Sequence, residues 1–288
     1  MDEKTAKYME RIHDANFEML CEVDRICKKY NIAYCLHGGT LLGAVRHQDF
    51  IPWDDDVDIS FVRAEYERFL SVFEREAPSH LKLLKFEGYP KFFDFMVKIA
   101  NTSLTYKATS FGEDAFYEGR FLHPTLDLFV FDIKKNDFQL TKLKLLYALS
   151  LGHRPYVNYR HFKGAMKAAA FVLSSLGKLI PMKRLAKRYI KAQTEGGVLE
   201  LSKGAGSGLT EELPVIFISN QVMDPRYWGL SFYGPHILEG SETGIIRGKE
   251  FPIPRRYDEM LTRTYGDYRS LPPENQRHPQ HVYDIAEQ

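Results

Sequence analysis

The sequence predicts an α+β fold: a mixed sheet flanked by helices, with an additional, largely helical basic region. Three patterns carry that expectation. Polar Asp56, Asp58 and Ser60 alternate with apolar Val57, Ile59 and Phe61, and Thr125 to Ile133 (TLDLFVFDI) is equally strand-like. Residues 8–30 and 63–74 instead repeat apolar positions every three or four residues, the period of an amphipathic helix. From Phe138 to Thr194 there is no Asp or Glu, whereas 12 Lys and Arg residues stand there.

The elements follow in order. Ile12, Met19, Leu20, Val23, Ile26, Cys27 and Tyr30 form the apolar stripe of the first helix. Ile32 to Leu36 reads as a short strand that runs into Gly38-Gly39-Thr40, and Leu41 to His47 as the first turns of a helix. A strand over Asp54–Phe61 is followed by a helix over Arg63–Glu74. Two strands, Leu81–Phe86 and Phe92–Ile99, flank a turn at Gly88-Tyr89-Pro90. Beyond Thr125–Ile133, helices dominate 139–193, broken near Gly152, Pro155 and Pro181. The stretch 195–211 holds five glycines and reads as a connector or loop. Proline-marked turns surround a helix near Asp258–Tyr265, and no internal repeat is present.

Composition narrows the function classes. A chain of 288 residues, 44% hydrophobic and 27% charged, is long enough for one large domain or two sharing a cleft. A net charge of +1 gives no global attraction for nucleic acid. Cys21, Cys27 and Cys35 show no zinc spacing and no CxxC, which favours a reduced, intracellular compartment. The acidic N-terminus MDEKTAKYMERIHD does not read as a signal peptide, and no run of 18 apolar residues predicts a spanning helix. A cytoplasmic protein is expected. The basic stretch 138–194, beside the apolar run Ala168 to Leu173, is either a solvated helical face or a peripheral contact with anionic lipid or an anionic polymer.

The chemistry concentrates at Asp54, Asp55, Asp56 and Asp58, four carboxylates in five positions. Like charges so close repel unless a cation bridges them, and hard oxygen ligands suit Mg²⁺ or Mn²⁺. Strand parity puts Asp56 and Asp58 on one face, able to share one metal or hold two. Asp127, alone within Leu126 to Phe131, is the candidate third carboxylate and proton acceptor; the alternative is a salt bridge to an Arg or Lys. Asp132 is expected to end its strand. Gly38 and Gly39 would let backbone amides approach a phosphate, Thr40 would cap the helix or bond the same phosphate, and Arg46 would reach a phosphate oxygen. The pattern is neither a P-loop nor a dinucleotide fingerprint.

Strand, glycine-pair helix start, DhD strand and third carboxylate resemble the nucleotidyltransferase superfamily. More narrowly, HGGTLLGAVRHQDFIPWDDDVDISFVRAEYERF, LDLFVFD at 126–132 and FPIPRRYDEMLTRTYGDYRSLPPENQRHPQH at 251–281 resemble the LicD/fukutin family. Between 138 and 250 the likeness fades. The resemblance implies a nucleotidyltransferase-like catalytic core over 1–137, a basic helical insertion over 138–211, and a C-terminal family segment over 212–288 that packs back on the core. It also implies a CDP-activated alcohol as donor, commonly CDP-choline, and transfer of its phosphoalcohol to a sugar hydroxyl of a surface glycan or its lipid-linked precursor. By the same likeness Asp56 and Asp58 are metal ligands and Asp127 is the third carboxylate. Gly38, Gly39, Thr40 and Arg46 hold the donor phosphates, and Trp53 shapes the wall. Tyr257, Tyr265, Gly266, Asp267, Tyr268 and His278 resemble a family lid or support, for which packing is the expected role. The family's cysteine-held zinc site is not expected, because no cysteine follows Cys35.

For a trimethylammonium head group, Tyr117, Phe121, Tyr227, Trp228 and Tyr233 are the cage candidates. Two other functions use the same residues. A nucleotidyltransferase would place a nucleoside monophosphate on a small molecule or lipid head group, and a non-catalytic scaffold would only bind glycan.

Overall fold

The computed structural model describes residues 3–85, 95–107, 123–153, 163–198, 215–222, 231–233, 242–279 and 284–285. Helix α1 (Glu3–Tyr30) begins ahead of the expected residue 8, and β1 is only Cys35–Leu36. Then come α2 (Gly38–Arg46), β2 (Val57–Val62), α3 (Arg63–Glu76), β3 (Leu81–Leu84), β4 (Lys98–Asn101) and β5 (Tyr106–Lys107). Strand β6 (Thr125–Ile133) has the bounds read from its sequence. Helices α4 (Asp137–Ser150), α5 (Gly164–Gly177) and α6 (Met182–Gln193) follow, with a 3₁₀ turn at Leu151–His153. The chain closes with β7 (Val215–Ile218), β8 (Ser231–Tyr233), β9 (Glu242–Ile246), β10 (Lys249–Ile253), α7 (Tyr257–Tyr265) and β11 (Asp284–Ile285). This is the α+β arrangement expected, a mixed sheet flanked by helices. The turn at Gly88-Tyr89-Pro90 and most of the stretch 195–211 lie outside the described residues.

The seven-stranded sheet runs β1-β2-β6-β4-β3, with β7 also on β6 and β8 on β7. The β2–β6 pair is parallel and the other pairs are antiparallel. Because β2 covers one edge of β6, β4 and β7 share the other: β4 takes Thr125–Asp127 and β7 takes Phe131–Ile133. Between them the side chain of Asn220 completes the ladder. Its Nδ2 donates to the Leu128 carbonyl at 2.7 Å and its Oδ1 accepts from the Val130 amide at 3.1 Å. A central strand cannot leave such groups bare, so a side-chain amide stands in for a peptide.

Two cores result. The main one joins Met19, Leu20, Val23 and Ile26 of α1, Phe69 and Phe73 of α3, the sheet, and Phe251, Ile253, Met260 and Leu261 from the C-terminal segment. That segment opens with a hairpin, β9–β10, turned by Arg247 (φ 50°) and Gly248 (φ 73°), as a two-residue turn with both central residues left-handed requires. A smaller core joins Leu143, Leu146 and Tyr147 of α4 to Leu185 and Tyr189 of α6, with Phe217 and Val222.

A buried polar network ties the two together. Arg63 at the start of α3 grips Asp132 of β6 through two bonds of 2.9 and 2.6 Å, both side chains almost wholly buried. Ser219 Oγ donates to Asp132 at 2.5 Å, Gln193 donates to Ser219 Oγ, and Tyr189 OH donates to the Ser219 carbonyl. Asp132 lies one residue before the end of β6, and its charge is structural.

Asn220→Ala should therefore cost about 2 kcal/mol in a urea unfolding titration, because two buried backbone groups lose their partners. Replacing Lys28, an exposed i,i+4 partner of Asp24, should shift stability by less than about 0.5 kcal/mol.

Candidate active site

The acidic tract sits in the loop between α2 and β2, and α1 pins its backbone. A turn closes with the Asp54 amide donating to the Ile51 carbonyl at 2.9 Å. From α1, His13 Nε2 lies 2.8 Å from the Asp54 carbonyl, and Asn16 Nδ2 donates to the Asp55 carbonyl at 3.3 Å. A carbonyl only accepts, so the His13 proton is on Nε2. Burial pushes the His13 pKa down and keeps the ring neutral, stacked on Phe50 at 5.0 Å.

Asp54, Asp55 and Asp56 all precede β2, and one ligand oxygen from each lies within 4.8 Å of the others. This departs from the expected trio. The strand starts at Val57, so strand parity does not govern Asp54 to Asp56, and loop geometry gathers all three. Asp58, inside β2, stands opposite Asp127 of β6 in the parallel register. Burial first, then the charges of Asp56, Asp127 and Asp54, push the Asp58 pKa well above the usual carboxylate range; Lys98 works against them.

Lys98 of β4 is the counter-charge that sequence reasoning missed. It is aligned with Asp127 across the antiparallel pair, and its Nζ donates to Asp127 Oδ2 at 2.7 Å. The salt bridge held open as the alternative for Asp127 is thus present. It satisfies only half the carboxylate: Asp127 Oδ1 is buried with no hydrogen-bond partner among the described residues. Lys98 is the lone charge of β4 and Asp127 is alone among the apolar residues from Leu126 to Phe131, and that shared oddity was the available signal. His13 and Asn16 gave none, because they resemble the polar positions of any amphipathic helix.

The glycine pair is the first turn of α2 rather than its approach. A Cβ at Gly38 would collide with Asp58 Oδ2, and one at Gly39 with Asp54 Oδ2; Gly38 also has a φ of 52°. Both glycines let a helix start lie directly against carboxylates. Thr40 does not cap the helix, since His37 occupies that position; its buried Oγ1 accepts from the Asp58 amide at 2.9 Å and so fixes β2 to α2. An oxygen-only donor set, a gathered trio and an orphaned buried carboxylate oxygen fit a hard divalent ion.

Arg46 occupies the last turn of α2, the end away from the glycines. Its Nη1 donates to the carbonyls of Tyr268 and Ser270 at 2.8 and 3.2 Å, so it holds the C-terminal segment. Trp53 stays at the acidic loop, edge-on to His47 at 6.2 Å, with the Arg277 guanidinium 5.9 Å from its ring centre. Around α7, Tyr268 is buried and donates to Asp258 at 2.7 Å, and Gly266 (φ 68°) ends the helix. Tyr117, Phe121, Tyr227 and Trp228 lie outside the described residues, as does the side chain of Tyr233.

Comparison with known proteins agrees with this geometry. Residues 31–144 match the family described as LicD/FKTN/FKRP, nucleotidyltransferase domain. The lipopolysaccharide cholinephosphotransferase LicD of Haemophilus influenzae is 29% identical over 265 residues, 90% of each chain. The human ribitol 5-phosphate transferase FKRP is 64% identical over 28 residues, 10% of this chain and 6% of its own length. An uncharacterized protein of Rickettsia typhi, RT0683, is 39% identical over 56 residues, 19% of this chain and 18% of its own. The match over 31–144 takes in the glycine pair, the acidic tract and both β2 and β6, so this stretch is similar to the nucleotidyltransferase domain of the LicD family.

Proposed function

We propose that this protein transfers a phosphoalcohol, phosphocholine before others, from a CDP-activated donor to a sugar hydroxyl of a surface glycan or its lipid-linked precursor, releasing CMP. The observation that carries this is the gathering of Asp54, Asp55 and Asp56 just ahead of Asp58, which is in register with Asp127, one of whose oxygens is buried without a hydrogen-bond partner among the described residues. The Haemophilus relative, matched over most of its length, is named a cholinephosphotransferase, which supports the choline choice.

Mg²⁺ or Mn²⁺ would be held by Asp56, Asp58 and Asp127, with Asp54 and Asp55 beside them, and would supply charge neutralisation to the donor diphosphate. Asp127 orients the acceptor hydroxyl and takes its proton. The hydroxyl oxygen forms a bond to the phosphorus bearing the alcohol as the bond to the bridging oxygen breaks, and CMP departs with that electron pair. Lys98 offsets negative charge at the same place. The amides of Gly38 and Gly39 at the α2 N-terminus face the donor's phosphates, and Trp53 forms the wall. Thr40 and Arg46 act indirectly, the first through β2 and the second through the C-terminal segment.

We take 1–137 as the catalytic core, 138–211 as a basic helical insertion and 212–288 as the segment returning to the core. The reaction is placed in the cytoplasm, at the inner face of the membrane.

With Mg²⁺ and a panel of CDP-choline, CDP-ethanolamine, CDP-ribitol and CDP-glycerol, plus a glycolipid extract as acceptor, CMP should appear from one donor. Asp56→Ala and Asp127→Asn should each lower that rate by about a hundredfold or more. Pyrophosphate from CTP, with no CMP from any CDP-alcohol, would replace this reading with nucleotidyl transfer.

The same carboxylates should trade stability for function. In EDTA, Asp58→Asn should melt about 2 °C above the parent, because a buried carboxylate facing three others is removed. Adding Mn²⁺ should raise the parent's midpoint and leave the variant's nearly unmoved. A variant that melts lower in EDTA would show that the crowded charge is not a liability.

A further inference from the structure

Helix α5 is packed the opposite way from an ordinary surface helix. Its buried positions are Ala170, Ser174 and Gly177, a stripe of small residues. They let backbones meet: a Cβ at Gly177 would run into the Leu149 carbonyl, and one at Gly152 into the Ser174 carbonyl. The large apolar residues point outward. Met166, Phe171, Val172 and Leu176 are about half exposed or more, and Leu179, just past the helix, is 80% exposed. Water is a poor neighbour for such a contiguous face, and patches of this kind mark interaction surfaces.

The charges beside it say what covers it. Lys163, Lys167 and Lys178 flank the apolar positions, and α6 carries Lys183, Arg184, Lys187 and Arg188 on exposed positions above its own buried side. No acidic residue occurs between Phe138 and Thr194. A second copy docking face to face would set this basic set against itself. An anionic lipid surface answers both the apolar side chains and the rim, as it does for interfacial helices. No single helix among the described residues is long and apolar enough to cross a membrane; α5 and α6 reach that length only as a pair bent by 116°, and the exposed Lys and Arg of α6 suit a headgroup layer better than a hydrocarbon core.

We propose that α5, with the Lys178–Leu179 turn, is a membrane-docking element that lies in the headgroup region of an anionic bilayer, with the basic residues of α6 beside it. The sequence left a peripheral contact through the basic stretch and its apolar run as one of two readings; the outward apolar face makes it an inserting contact. The inference stands apart from the chemistry assigned to the carboxylates.

The test is co-sedimentation of the full chain with vesicles of phosphatidylcholine alone and of phosphatidylcholine with phosphatidylglycerol. Binding should require phosphatidylglycerol and weaken with salt. Phe171→Ser with Leu179→Ser should reduce affinity by about tenfold or more. Lys183→Ala, Arg184→Ala, Lys187→Ala and Arg188→Ala together should produce a similar loss and flatten the salt dependence. All these side chains are exposed, so the thermal midpoint should hold, and CMP release from a soluble donor should be unchanged. No binding of the parent, or equal binding by both variants, would overturn the proposal. So would a parent that is dimeric by light scattering, is made monomeric by the apolar pair of substitutions, and shows no vesicle binding. Loss of donor turnover in every form would count against the catalytic reading and leave this one standing.

Discussion

Asp54, Asp56 and Asp127 all press like charge on the buried Asp58, and the architecture around them answers that constraint. The loop before β2 is held by two side chains of α1 through its carbonyls, which leaves the carboxylates themselves to gather. The glycine pair removes the two β-carbons that would push Asp58 and Asp54 away. Thr40 locks the same helix to the Asp58 amide, and Lys98 supplies the nearby positive charge. Removing any one support would relax the crowding of oxygen ligands that could hold a divalent cation.

The second charged centre shows the contrast. Arg63 and Asp132 are almost wholly buried, yet both Asp132 oxygens accept hydrogen bonds, and the network extends to Ser219, Gln193 and Tyr189. Both centres use β6, Asp127 near one end and Asp132 near the other. The saturated pair fastens sheet to helices. The other centre leaves Asp127 Oδ1 buried without a hydrogen-bond partner among the described residues, the kind of unsatisfied group that a structural pair does not leave.

Much of this was legible beforehand because it rests on local pattern. Strand β6 and the helices near 8–30, 63–76 and 257–265 follow from periodicity, and the acidic tract announces itself by like charges that no packing requires. What escaped depends on distant partners. Asn220 fills a gap in a ladder 90 residues away, and Arg46 bonds carbonyls 222 and 224 positions on. The alternation at Asp56 suggested a strand where a loop in fact gathers three aspartates. The β9–β10 hairpin hid behind Arg-Gly, an uncommon pair at a turn that asks for two left-handed residues.

The parallel register of β2 and β6 has a consequence in time. Asp58 and Asp127 become neighbours only when strands separated by α3, β3, β4 and β5 align, and parallel pairing of this kind is slow because a long loop must close first. During synthesis the acidic tract leaves the ribosome well before Lys98 and β6, and long before Tyr268 can receive Arg46. For that interval the nascent chain carries a dense anionic segment with neither its lysine nor its partner strand. The completed site is therefore a late product of folding, assembled from both ends of the chain, and a truncated protein retains the motif without the centre.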